Sequence, residues 1–229
     1  MKLLAGSLMA IGLVATITYA LAGGTVGQQN AAAGKAAAHA GGRQKKVVTT
    51  AFPQLNQFND LKSLTDGSGT VVVGVPVSQS SRVSSSSQNF VWTEYQVKVL
   101  SVLKGEIQPG GLISVRAMGG KAAQKDGTEV ETQMPDFWKS PVVGDGYVFF
   151  LSARGNAARR FELTGGPQGL FLISPWKGEG AGELSLTPDQ LVVPQVRASD
   201  KLMKSYAGMP AEGFVGRVRG VVAGGVEGK

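Results

Sequence analysis

NFVWTEYQVKVLSVLKG, residues 89–105, alternates with a period of two. Successive side chains of a strand point to opposite faces, so Val91, Thr93, Tyr95, Val97 and Val99 share one face, and Trp92, Glu94, Gln96 and Lys98 share the other. Past Val99 the pattern slips, and Leu100 and Val102 become the inward positions. One extra residue has that effect, so the spacing predicts a β-bulge or sharp bend near Leu100-Ser101. A strand that bends in its middle can serve both sides of a small closed or partly closed barrel.

The flanking segments fit that architecture. Upstream, TVVVGVPVS (70–78) is β-branched and reads as a strand, with Gly74 at a bulge or close approach. SQSSRVSSSSQN (78–89) is polar, without periodicity, and reads as a loop. Leu55, Phe58, Leu61 and Leu64 recur at threes and suggest an amphipathic helix of about three turns. It should stop at Thr65-Asp66-Gly67-Ser68-Gly69. Downstream of the Pro109-Gly110-Gly111 turn, Ile113, Val115 and Ala117 alternate with Ser114 and Arg116. Val130, Thr132 and Met134 alternate with Glu129, Glu131 and Gln133. Tyr147 to Leu151 is apolar on both faces, as a central strand would be. RRFELT (159–164) and QGLFLIS (168–174) supply two more strands around Gly165-Gly166-Pro167.

Short strands between Gly and Pro turns indicate a mainly β chain, a small antiparallel barrel or sandwich, with a short N-terminal helix and C-terminal helices. For the latter, Thr187-Pro188-Asp189-Gln190 resembles a capping box, and Pro194 limits any helix begun there to about two turns. A second helix is expected within Gln195–Tyr206, and a third from Pro210 with Phe214, Val218 and Val222 on one face.

The segments VVVGVPVS (71–78), WTEYQVKVLSVLKG (92–105), Gly119-Gly120, Pro135, GDGYVFFL (144–151) and GGPQGLF (165–171) occur in an order that resembles a family of exported bacterial domains. Its members share a TEYxVxVxxVLKG strand and a later GxxYxxFL strand, and the resemblance covers roughly residues 55–175. It implies a β-rich domain, OB-like as in tissue-inhibitor and netrin modules, and brings no assigned activity. Tissue inhibitors of metalloproteases chelate zinc through an N-terminal cysteine. This chain has no cysteine, so that mechanism does not transfer.

Residues 1–22 read as a signal peptide or a membrane anchor. Lys2 precedes an uncharged apolar run, and Ala20 and Ala22 place small residues at −3 and −1 before Gly23, as signal peptidase requires. Uncleaved, Leu3–Ala22 could just span a bilayer, and membrane contact is expected only through residues 3–22 in that case. Residues 23–46 are rich in Gly, Ala, Gln and Lys and read as a flexible linker. A β-rich domain (47–186) and a helical extension (187–229) follow.

The net charge of +7 belongs mostly to the leader and linker. Five of the 23 basic residues precede residue 47 and no acid does, leaving 18 against 16 and a charge of +2 for residues 47–229. With no basic face carrying stacking aromatics visible, no nucleic acid partner is expected.

The chemistry open to this chain is narrow. With no cysteine and with His39 alone in the linker, thiol chemistry, a Ser-His-Asp triad and a His- or Cys-based metal site are ruled out, and no cofactor is expected. Gly119-Gly120-Lys121-Ala122 lacks the hydroxyl of a phosphate loop. Ser101-x-x-Lys104 lies at a strand end, where residues three apart face opposite ways. Glu129 and Glu131 share a face near the separation of a retaining glycosidase, about 5–5.5 Å, or form the solvated side of an edge strand. Asp136 and Asp145 flank an aromatic loop and could meet sugar hydroxyls, but the ligand spacing of a calcium site is absent. That loop, Met134–Pro141, is the candidate binding surface: Asp136, Phe137 and Trp138 either face a partner or cap the barrel. Trp176, beside Pro175, invites the same two readings, and Trp92 is either exposed or covered by a helix. The expectation is an exported, non-catalytic binding or assembly module of the envelope or the extracellular space, with a protein or glycan partner. The alternatives are a hydrolase using Glu129 and Glu131, or a filament subunit retaining its apolar N-terminal helix.

Overall fold

The computed structural model describes residues 45–49, 57–84, 90–134, 138–155, 159–177, 184–196 and 201–224. In chain order these form β1 (Lys45–Thr49), α1 (Leu61–Gly67), β2 (Thr70–Val83), β3 (Val91–Lys104), β4 (Leu112–Met118), β5 (Gly120–Ala123), β6 (Glu129–Gln133), β7 (Gly146–Ala153), β8 (Arg160–Leu163), a 3₁₀ turn (Gly166–Gly169), β9 (Leu170–Ser174), β10 (Leu191–Pro194), α2 (Lys201–Tyr206) and α3 (Ala211–Val222).

Five strands close into a barrel. β2 pairs with β3, β3 with β4, β4 with β8, β8 with β7, and β7 returns to β2; the β4–β8 contact is parallel and the other four are antiparallel. This strand order is that of a small Greek-key barrel of the OB kind. On the edge of β7 away from β2, residues 151–153 pair with β8 and residues 146–149 with β9, which in turn carries β10. A separate three-stranded sheet has β6 between β1 and β5.

The expected bulge in β3 is present. Val73 pairs with Ser101 and Gly74 with Val99, so Leu100 is an extra residue; a second slip leaves Leu103 extra between Val102 and Lys104. Gly74 sits where the strands approach closely, because a Cβ there would lie 2.7 Å from Val97 Cγ1 and 2.8 Å from the Lys98 carbonyl oxygen.

Strand alternation feeds two cores. Val72, Val97, Val99, Ile113, Val115, Tyr147, Phe149 and Leu151 fill the barrel. Val71, Val73, Val148 and Phe150 point the other way, into a second core with α1, α2, α3 and β9. There Phe214 meets Phe171, Tyr206 and Phe150 at ring-centroid distances of 4.7, 5.4 and 6.4 Å. This explains why Tyr147–Leu151 is apolar on both faces.

Several local expectations are corrected. α1 begins only at Leu61, because Asp60 caps it: its carboxylate accepts from the Ser63 N–H at 2.6 Å. Phe58 precedes the helix, and its backbone N–H donates to Gln168 Oε1. β2 runs to Val83, through half of the stretch read as a loop, because β3 pairs with it that far. No helix starts at Thr187. Gln190 Oε1 accepts from the Thr187 N–H and the Gln190 N–H closes a turn on the Thr187 carbonyl, after which Leu191–Pro194 pair with β9 and bury Val192. α3 buries Val221 rather than Val222, which is 40% exposed. β6 is a central strand, not an edge. No helix among the described residues is long and apolar enough to cross a membrane.

Candidate ligand-binding site

The part of the barrel's outward face that the second core leaves uncovered, across the end of β2 and β3, β4 and β8, is where the chemistry collects. Residues paired across adjacent strands share a face, so the register builds rows of side chains. One row runs Arg82–Trp92–Met118 across β2, β3 and β4. The next runs Ser80–Glu94–Arg116–Glu162 and extends to β8. A third runs Gln96–Ser114–Arg160, and the Arg154 N–H at the end of β7 donates to the Arg160 carbonyl.

These rows wall a cavity of about 350 Å³, whose sides include Arg82, Arg116, Arg154, Arg160, Trp92 and Glu94. The Arg116 guanidinium lies 4.1 Å from the centroid of the Trp92 ring, a cation–π contact, and its Nη2 is 3.2 Å from Glu162 Oε2. Arg116 Nε is buried and finds no acceptor among the described residues. Glu94 accepts a 2.6 Å hydrogen bond from Ser114 Oγ, and Arg154 Nη1 is 3.9 Å away. The Ser114 hydrogen bond chiefly holds the Glu94 carboxyl below the usual carboxylate range, against partial burial and with help from Arg154, Arg160 and Arg82. Arg82 and Arg160 are exposed and form no ion pair among the described residues. With Arg116 paired to Glu162 and Arg154 facing Glu94, the charges of Arg82 and Arg160 leave the cavity wall net positive.

The residues singled out from sequence lie elsewhere. Trp138 is 8% exposed and packs with the barrel interior, and its backbone bridges Val196. Trp176 is half-buried against the second core, its indole lying flat on Gly146, where a Cβ would come within 2.0 Å of the ring. Trp92 is half-buried and covered by Arg116, not by a helix. Asp136, Phe137, Ala20, Ala22 and Gly23 lie outside the described residues. Glu129 and Glu131 are half-buried on β6, with Glu131 Oε1 3.6 Å from Lys121 Nζ; neither borders the Arg82–Arg160 cavity. Lys104 Nζ donates to the Thr65 carbonyl at the end of α1, and Ser101 Oγ meets Arg219 Nη2 at 3.5 Å. Among the described residues no group of three or more His, Cys, Asp or Glu is placed to hold a metal ion.

The sequence reading missed the arginine cleft, having found the basic excess ahead of residue 47. The available signal was parity: Trp92, Glu94 and Arg116 each occupy an outward position of an alternating strand. Neither a family model nor a curated protein matches the chain.

Proposed function

We propose that this chain is an exported, non-catalytic binding module whose ligand carries carboxylate, phosphate or sulfate groups and lies in the Arg82–Arg160 cleft. The observation that carries the reading is the convergence in one cavity, beside Trp92, of four arginines, three from β2, β4 and β8 and one from the residue just past β7. Arginine presents a planar fork of donors that matches two-oxygen anions. The cleft lies on the face of β3 and β4, the corresponding strands of an OB barrel being a recurrent ligand surface. Export rests on the leader at residues 1–22, and the part of the 23–46 stretch that precedes β1 would serve as the tether.

The test is an NMR titration of the chain with inorganic sulfate and pyrophosphate at ~50 and ~200 mM salt. The indole N–H signal of Trp92, assigned with the Trp92→Phe variant, and the amides of Arg82, Arg116 and Arg160 should shift. The shifts should shrink at the higher salt and vanish in the Arg116→Gln/Arg160→Gln double variant. Shifts confined to other faces, or no shifts at all, would defeat the reading.

A further inference from the structure

We infer that the cleft continues past the end of β2 into a second cavity, and that the two together take a linear acidic polysaccharide bearing repeated carboxylates. This rests on the anion-binding reading above.

The second cavity, of about 380 Å³, lies between the end of β2 and the β5–β6 turn, with Gln124 and Lys125 on its far wall. Arg82, Val83 and Ser84 border both cavities, so the end of β2 is a partition between them. Arg82 is the cation on that partition and is exposed. Positive charge is therefore strung out: Arg116, Arg154 and Arg160 on one side, Arg82 at the crossing, Lys125 at the far end. A single compact anion needs only one of these stations. A chain with charges at intervals uses all of them, each added contact raising the effective concentration of the next.

The uncharged walls narrow the class. Ser80 on one side and Gln124 on the other offer donors and acceptors of the kind that match sugar hydroxyls. A single-stranded nucleic acid instead calls for a series of rings on which successive bases stack. Among the described residues Trp92 is the one aromatic side chain bordering either cavity, and Arg116 already covers one of its faces.

The experiment is calorimetry of the chain with oligogalacturonates of one, two, four and eight sugars, neutral malto-oligosaccharides of equal length, and single-stranded DNA of matched charge. Affinity for the uronates should rise about tenfold or more between two and eight sugars. Lys125→Gln should weaken the octamer severalfold and leave the dimer unchanged, whereas Arg160→Gln should weaken both. Both residues are exposed, and unchanged circular dichroism checks that the variants fold. Equal binding of dimer and octamer, or an octamer indifferent to Lys125→Gln, would overturn the continuous groove while leaving the anion cleft standing on the dimer. Tighter binding of the DNA, or equal binding of the neutral sugars, would overturn the polysaccharide class. No uronate, sulfate or pyrophosphate binding would bring down the cleft reading itself.

Discussion

Replacing Glu94 by Gln should tighten anion binding, because Glu94 is the carboxylate already occupying the cleft. Among the described residues it is the one acid bordering the cavity, held by Ser114 Oγ at 2.6 Å and facing Arg154 at 3.9 Å. An anion seated on the arginines would lie roughly 6 Å from it, a repulsion of ~0.7 kcal/mol per unit charge in water and ~1.4 at an effective dielectric constant of ~40. Removing that charge therefore predicts a three- to tenfold gain in affinity per ligand charge at low salt, and less at physiological salt, where screening acts over about 8 Å. Glutamine retains an oxygen for the Ser114 hydroxyl, so the cost in stability should stay within the ~0.2–1 kcal/mol of a partly exposed ion pair.

The pH dependence follows from the same group. The folded-state pKa of Glu94 is lowered, so its contribution to stability is present above the unfolded carboxyl pKa and is lost as pH falls through the folded value. Over that fall, protonation of Glu94 should also raise the affinity of the native protein for sulfate, which stays ionised. The Glu94→Gln variant should start at the higher affinity and lack most of the rise. Calorimetric titration with sulfate from neutral pH into the acid range reads both effects. Unchanged or weakened sulfate binding in the variant would refute the placement of the anion among these four arginines.

Three further outcomes are expected. Phe214→Ala removes a fully buried ring that touches three others, so it should cost ~3–5 kcal/mol and lower Tm by at least ~6 °C, while Val222→Ala on the exposed side of α3 should cost less than ~0.5 kcal/mol; thermal and denaturant melts measure both. Gly74→Val drives a side chain into Val97 and the Lys98 carbonyl, and should cost ~1–3 kcal/mol or more by the same melts. Intact mass of the chain recovered after expression in an exporting bacterial host should begin at Gly23, whereas retention of Met1 would favour the anchored or assembling alternative.

The fold was legible where one period dominates. Residues 91–99 alternate without interruption, and their slip past Val99 announced the bulge at Leu100. Tyr147–Leu151 announced a strand with apolar neighbours on both sides, and the second core supplies them. Failures came where local chemistry and tertiary pairing disagree. Thr187-Pro188-Asp189-Gln190 does make its side-chain hydrogen bonds, yet as a turn, because pairing with β9 claims Leu191–Pro194. Gln79, Ser80 and Ser81 look like loop residues by composition, and only the partner strand makes them a strand.

The cleft was illegible for a different reason: it is written in register rather than in composition. A charge of +2 over residues 47–229 averages over faces, whereas pairing sorts residues onto them. Between Pro76, opposite Val97, and Ser78, opposite Gln96, Val77 is an extra residue, 46% exposed. Were Val77 paired in the ladder instead of bulged out of it, continuing the pairing of Pro76 would bring Arg82 opposite Val91, on the face that fills the barrel. With the bulge, Arg82 stands opposite Trp92 on the outside, and Ser81 turns inward to share a 2.9 Å hydrogen bond with Thr93. A one-residue change of register moves every later side chain to the other face, so a single bulge decides whether this arginine belongs to the core or to the cleft. Nothing in VVVGVPVSQSSRV marks Val77 as that residue, since the polar run after it tolerates either parity. The choice is made by β3, whose Val91, Thr93 and Tyr95 must stay buried and thereby leave Trp92 and Glu94 to meet Arg82 and Ser80 outside.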